Sequence, residues 1–460
     1  MEQLTALDAA FLEVEDADPH VSLALGAVSV MEGSVPRYDE FVAAFTLRAA
    51  TIPRFRQVLR THPLDLRPPE WADDPHFDLS RHLHRAALPH PGGDAELFET
   101  IAALMERRLD RERPLWDCWI IEGLSDDRWA VLVKLHHCVA DGIAATQMMA
   151  RFGDDDTGTF ATDIAGTKGR ASQSVHLAGI NLNPLNWVRE IGRGALAAEH
   201  AAIGVAELTA GLLRPARPSS LNGPLTTMRR YSAARVRLAD LQTVSRAFHV
   251  TLNDVALAAI THSYRRVLLG RGERPGHDSL RTLVPVSVRT ADHFAASDNR
   301  VSAMLPLLPV DEPDPVRQLL LVRERLTRAK ASGQSEGGSV AVSAADSVPF
   351  AFSAWAVRLL ARLPQRAVVG LATNVPGPRG RQRLLGRLVL EILPVPPIAL
   401  QVRTGIAMVS YADALVFGIT ADYDTASDIG ALAAGIEDGV AQLVAASHAP
   451  RGGRAPAPAG

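Results

Sequence analysis

The sequence predicts a two-domain α/β protein, on three observations. Its 460 residues are long for one hydrophobic core and comfortable for two. Strand-like and helix-like runs are mixed in both halves. Between the halves, residues 154–222 are first polar and glycine-rich, then alanine-rich, then broken by prolines, as a connection is expected to be. The expected division is therefore 1–153, a connection with a helical segment over 154–222, a second domain over 223–447, and a disordered tail over 448–460.

In chain order, "VSLALGAVSVMEG" alternates like a strand, and "DEFVAAFTLRAATI" has helical spacing and stops before Pro53. "WDCWIIEGL" and "RWAVLVKLHH" are two strands joined at "SDD", which reads as a hairpin. "DGIAATQMMARFG" is a short helix ending at Gly153. In the second half, "RRYSAARVRLADL" is a strand running into a helix. Thr251 and Asp254 form a capping box for a helix ending at Gly270, with Leu257, Ile260, Tyr264, Val267 and Leu268 on its buried face. "SLRTLVPVSVRT" and "SAMLPLLPV" are strands, and "GIAMVSYADALVFGITADY" is a hairpin turning near Ala412 and Asp413.

Composition narrows the function. Apolar residues make up 47% and charged residues 22%, which is globular, and the net charge of -3 gives no basic excess for nucleic acid. The three lysines are Lys134, Lys168 and Lys330; the remaining positive charge is arginine and carries no mechanistic weight. Two cysteines, Cys118 and Cys138, argue against a disulfide framework and fit a reducing, cytoplasmic compartment. The acidic N-terminus lacks the basic region of a secretory signal, and no uninterrupted apolar run reaches the ~18 residues of a membrane span. A soluble or peripheral protein is expected.

The chemistry gathers at "KLHHCVADGI", residues 134–143. Strand alternation sends His136 and His137 to opposite faces, which is poor for chelating one metal, and no Cys/His cluster completes a tetrahedral set. No metal and no cofactor are expected. A single imidazole at a strand end can take a proton from a hydroxyl, with Asp141 fixing the next turn and Gly142 letting the chain turn closely. A bare His-x-x-x-Asp fits equally well a satisfied histidine followed by a helix N-cap aspartate. Cys138 reads as a small buried residue facing away from His137, not as a nucleophile.

The surrounding motifs separate these readings. "HHCVADG" matches the HHxxxDG motif of the coenzyme A-dependent acyltransferase superfamily. "LTALDAAFL", "RPLWDCWIIEGL", "TLNDVALAAI", "LVPVSVRT", "DNRVSAMLPLLP", "TNVPGPRG" and "SYADALVFGITAD" follow in order. Together, from about residue 4 to about residue 445, they resemble the bacterial wax ester synthase/diacylglycerol acyltransferases. The resemblance implies two chloramphenicol acetyltransferase-like α/β domains, each a mixed sheet with flanking helices, and an active-site tunnel between them. It implies transfer of a long-chain acyl group from acyl-CoA to diacylglycerol or a fatty alcohol. His137 would be the general base on the acceptor hydroxyl, without a covalent acyl-enzyme. His136 would shape the site or only pack near Lys134, and Asp141 would pair structurally with Arg289, which by itself also reads as a solvated strand-end arginine.

For Asn253 the resemblance implies a place near the reacting carbonyl, beside the capping role that its position with Asp254 also explains. Asn374 would sit on a cross-domain loop, which its Pro-Gly-Pro context also makes a rigid turn. Pro114, Leu115 and Trp116 would anchor the strand beside the histidine strand. Two segments, 183–213 and 348–364, are suited either to line an acyl tunnel and touch a membrane or lipid droplet, or to pack ordinarily. Two further functions fit the motif: transfer to another acceptor or from a carrier-protein thioester, and silent lipid binding. The intact His137, Asp141 and Gly142 weigh against the silent protein.

Overall fold

A computed structural model of the chain describes residues 2–62, 67–140, 142–150, 152–154, 217–287, 301–331, 350–362 and 367–449. The strands are β1 (Glu2–Gln3), β2 (Ala24–Glu32), β3 (Gln57–Arg60), β4 (Glu70–Asp73), β5 (Leu83–Ala87), β6 (Trp116–Leu124), β7 (Arg128–His136) and β8 (Arg229–Arg237). They continue with β9 (Thr282–Ser287), β10 (Val301–Met304), β11 (Gly370–Val375), β12 (Arg383–Leu384), β13 (Arg387–Val395), β14 (Thr404–Tyr411) and β15 (Ala414–Asp422). The helices are α1 (Ala6–Ala17), α2 (Tyr38–Ala49), α3 (Asp94–Glu106), α4 (Gly142–Ala150) and α5 (Leu238–Phe248). They continue with α6 (Leu252–Gly270), α7 (Pro315–Ala331), α8 (Phe350–Arg362) and α9 (Ile429–His448).

Local chemistry sets many of these boundaries. The Thr251 N–H donates to Asp254 Oδ2 at 2.8 Å and the Asp254 N–H donates to Thr251 Oγ1 at 3.1 Å, so the capping box starts α6. The face of α6 expected from its spacing is buried. The β6–β7 hairpin turns through Asp126 and Asp127, with φ of 60° and 51°, a conformation Asp tolerates. The β14–β15 hairpin turns at Ala412. The strand expected over "SAMLPLLPV" is shorter than its apolar run, because Pro306 and Pro309 have no N–H for the ladder. Sequence spacing left residues 6–17 unassigned; they form α1, where Thr5 Oγ1 accepts from the Asp8 N–H at 3.1 Å.

Two mixed six-stranded sheets organise the chain, in the orders β12-β13-β2-β7-β6-β5 and β10-β9-β11-β14-β15-β8. β5 lies parallel to β6, and β11 lies parallel to both β9 and β14. Each sheet has its own apolar cluster. The division at residue 223 places β12 and β13 with the second domain, whereas strand pairing places them in the first sheet, against β2. The pairing gives β2 a partner on its second side, which would otherwise be an open edge of N–H and C=O groups. The two sheets touch where β13 crosses: the Tyr231 hydroxyl on β8 donates to the Pro394 carbonyl on β13 at 3.0 Å.

α9 is long and apolar enough to cross a membrane. Its Leu432, Ile436, Val440 and Leu443 are buried in the second core, which makes it a core helix. Asp141, Arg289, the segment 183–213 and the tail beyond residue 449 lie outside the described residues.

Candidate active site

The site is built at the end of β7. β7 lies between β2 and β6 and is buried from Trp129 to His136, so both of its faces are covered. Its ladder runs one residue past the strand. The His136 N–H donates to the Leu115 carbonyl and the His137 N–H to the Leu23 carbonyl, both at 3.0 Å. Alternation therefore persists through His137, and the two histidines face opposite ways.

On the His136 side, the Lys134 ammonium is buried beneath α3. It donates to the carbonyls of Leu104 at 2.9 Å, Met105 at 3.4 Å and Arg107, closing the C-terminal end of that helix. Burial pulls its pKa down to about 8. On the His137 side, Val131 and Val133 line an apolar cavity with Ala27, Met31, Phe45 and Phe152. Thr146 of α4 and Pro378, from the loop after Asn374, also line it, and Ser29, Gln382 and Arg383 add polar groups.

His136 is 1% exposed. Its Nδ1 lies 3.2 Å from the Cys138 main-chain N–H, which donates to it, and 3.0 Å from Cys138 Sγ. Its Nε2 faces the Glu15 carboxylate at 3.5 Å. This placement fits shaping the site and leaves no side open to a substrate. Burial pushes the Cys138 thiol well above its ordinary range, and a protonated, buried thiol is a poor nucleophile.

His137 is partly exposed and stacks on Phe11, with ring centres 4.1 Å apart and planes at 25°. Burial lowers its pKa from 6.5 to about 4, assisted by the neighbouring His136 ring and opposed by a hydrogen bond to its own main chain. The ring is therefore neutral, in the form that accepts a proton, down to well below neutral pH.

α1 reaches both histidines with side chains one helical turn apart, Phe11 to His137 and Glu15 to His136. Two arginines after α3 hold α1 in place. Arg108 donates to the carbonyls of Val21 at 2.8 Å, Asp18 at 2.5 Å and Glu15. Arg111 donates to Glu15 Oε2 at 2.8 Å and to Asp16 Oδ2 at 2.9 Å. Burial pushes the Glu15 carboxyl up, but His136, Arg111 and the Leu23 N–H outweigh it and hold its pKa at about 2. Phe11, Glu15 and Arg111 had not been picked out from the sequence. The available signal was the acid at position 15 in step with Asp8 and Leu12, on what is the buried stripe of α1.

Asn253 and Asn374, 121 residues apart, come together: Asn374 Nδ2 donates to Asn253 Oδ1 at 3.2 Å. The end of β11 that carries Asn374 also meets the histidine turn. A Cβ added at Gly142 would lie 2.8 Å from Val375 Cγ2, so glycine lets α4 of the first half start against β11 of the second. Asp254 is buried and occupied by the cap of α6. Pro114, Leu115 and Trp116 act as an anchor. The Leu115 carbonyl receives the His136 N–H, and Trp116 Nε1 donates to the Phe55 carbonyl at 2.9 Å. The Trp116 ring stacks on His82 and on Phe55, each at 4.5 Å.

Comparison with known proteins adds relatives. The wax ester synthase/diacylglycerol acyltransferase catalytic-domain profile matches residues 4–256, and the C-terminal-domain profile of the same family matches residues 297–443. The chain is 55% identical over 448 residues to a Mycobacterium tuberculosis protein named as the diacylglycerol O-acyltransferase tgs1, covering 97% of this chain and 96% of the relative. A second M. tuberculosis protein named as a diacylglycerol O-acyltransferase is 45% identical, covering 97% and 92%.

Among solved structures, the wax ester synthase/diacylglycerol acyltransferase of Marinobacter aquaeolei VT8 is similar with a TM-score of 0.69 at 24% identity, covering 97% of this chain and 99% of that one. The first condensation domain of the CDA synthetase is similar with a TM-score of 0.63 at 15% identity, covering 97% of each chain. At these identities the two structures speak to the fold alone, a pair of chloramphenicol acetyltransferase-like domains.

Proposed function

The chain belongs to the wax ester synthase/diacylglycerol acyltransferase family, and on that premise we propose that it carries a long-chain acyl group from acyl-CoA to the hydroxyl of diacylglycerol, with His137 as the general base. The observation that carries the assignment of the base is the setting of His137. It is the partly exposed member of the pair, it is uncharged near neutral pH, and its face of β7 leads to an apolar cavity.

His137 takes the proton of the acceptor hydroxyl as the oxygen attacks the thioester carbonyl. The tetrahedral intermediate collapses with cleavage of the C–S bond, and the coenzyme A sulfur leaves with the proton returned by His137. The protein forms no covalent bond with the acyl group, and the reaction needs no cofactor beyond acyl-CoA as substrate. Asn253 supports the carbonyl oxygen. Its Oδ1 accepts from Asn374, so its amide –NH2 is the end that can donate to that oxygen. The cavity beside Val133 suits an alkyl chain, because most of its lining is apolar. The same reading places the enzyme in the cytoplasm, in peripheral contact with the inner membrane face or with lipid droplets. The exposed Trp355 and Leu359, one turn apart on α8, support such a contact.

The purified protein, given radiolabelled palmitoyl-CoA and a panel of acceptors, is expected to make triacylglycerol from diacylglycerol. Hexadecanol in the same panel reports wax ester synthesis. Labelled neutral lipid from neither acceptor would refute the reading. The pH profile is a second test. A base with pKa about 4 stays competent from neutral pH downward, so kcat/KM is expected to hold through pH 6.5 and fall only as pH approaches 4. An acid limb centred at 6.5, the ordinary value for histidine, would contradict the buried setting of His137.

A further inference from the structure

We infer that Glu15 is a positioning residue for acyl transfer: its buried carboxylate fixes the His136 ring on one side and the Leu23 main chain on the other, and through both it aims His137. The inference rests on His137 being the base.

The contacts around Glu15 form a closed path. Oε1 accepts from the Leu23 N–H at 2.9 Å. The Leu23 carbonyl in turn accepts from the His137 N–H at 3.0 Å. Oε2 accepts from Arg111 Nη2 at 2.8 Å and faces His136 Nε2 at 3.5 Å. The other ring nitrogen of His136 takes the N–H of Cys138, the residue that follows His137. The main chain before and after the base is thus tied to one carboxylate, directly at Leu23 and through the imidazole at Cys138.

The chemistry of the partners specifies a carboxylate. A main-chain N–H can only donate, so the nitrogen of His136 that receives it bears no proton. The ring proton then sits on Nε2, the atom facing Glu15. All three groups around Glu15 are donors, and only an acceptor-only side chain satisfies them together. A glutamine of the same shape must turn its –NH2 toward Leu23, or toward Arg111 and His136, and either choice sets donor against donor.

Anchoring α1 does not require this buried charge. Arg108 already holds the Glu15 and Asp18 carbonyls at its C-terminal end and the Val21 carbonyl just beyond, and Arg111 also pairs with Asp16. Burying a carboxylate is unfavourable unless it is paired, and here the pairing is directed at the histidine turn. Arg111 balances the charge, so the site keeps a fixed ring without an excess anion.

The test is Glu15→Gln, assayed with palmitoyl-CoA and diacylglycerol alongside His137→Ala. A misaimed base lowers kcat and leaves substrate binding unchanged. The expected result is a kcat reduced roughly tenfold to a hundredfold, with KM for both substrates within about twofold of the parent. Nitrogen-15 spectra of the histidine rings give a second readout, independent of turnover. The parent protein is expected to show His136 as a single tautomer protonated at Nε2, and Glu15→Gln to show a mixture. An undiminished kcat in Glu15→Gln overturns the inference, and so does a parent His136 protonated at Nδ1, which decides the matter even if the variant does not fold. Loss of activity in His137→Ala alongside unchanged kcat in Glu15→Gln rejects the positioning role alone. Full activity in His137→Ala rejects the base, and the positioning role with it.

Discussion

His137→Ala is expected to lower kcat by about 10²- to 10⁴-fold while leaving the fold in place. The range is what a positioned general base contributes to a proton transfer in the transition state. The fold should survive because the ladder bonds at the turn belong to the main chain, and the Cys138 N–H is taken by His136. The Leu115 and Leu23 carbonyls keep their N–H partners, and the Cys138 N–H keeps its imidazole. The substitution removes the ring's stacking on Phe11 and its hydrogen bond to its own main chain, neither of which is part of the strand ladder. The measurement is transfer of label from palmitoyl-CoA to diacylglycerol at saturating substrate, paired with a thermal unfolding curve. Undiminished transfer would reject His137 as the base. Loss of transfer with a collapsed unfolding midpoint would show that the ring holds up the turn instead.

Gly418→Ala is expected to be the most damaging small substitution at the junction of the two sheets. Gly418 sits on β15 where β13 crosses from the first sheet. A Cβ there would lie 1.7 Å from the Pro394 carbonyl oxygen and 2.8 Å from the Tyr231 hydroxyl. The first obstacle is backbone, so no rotamer change relieves it. The strands must separate, and the Tyr231–Pro394 hydrogen bond goes with them. Overpacking costs about 1–3 kcal/mol where neighbours can adjust, and a backbone collision belongs at or above the upper end. The expected readout is an unfolding midpoint lowered by several degrees. Gly430→Ala is the control: it lies in α9 with nothing within 4 Å of the added carbon, so it should be neutral or slightly stabilising. Equal midpoints for the two variants would refute the close approach of β13 and β15.

What could be read from the sequence was what short-range chemistry decides. The capping box of α6, both hairpins and the buried strand ahead of the histidines follow from residues within a few positions of one another. The motif at 136–142, and the order of the motifs around it, point to acyl transfer from the sequence alone. Alternation separated the two histidines, and the continued ladder at Leu23 keeps that separation.

The remaining features are long-range, and no local pattern encodes them. Nothing local to Arg387–Val395 says that its strand partner is β2, more than 350 residues earlier. Spacing makes Asn253 and Asn374 noteworthy separately, whereas only the packing of β11 beside the start of α6 makes them a hydrogen-bonded pair. The sequence by itself determined the class of elements and the HHxxxDG motif that makes His137 the candidate base, because periodicity, capping and motif residues act over a few positions. Only the tertiary structure decided that α1 lies across the end of β7, with Phe11 against one histidine and Glu15 against the other. The reason is physical: burying a carboxylate, matching it to three donors and setting two sheets in contact all depend on groups that meet only once the chain has folded.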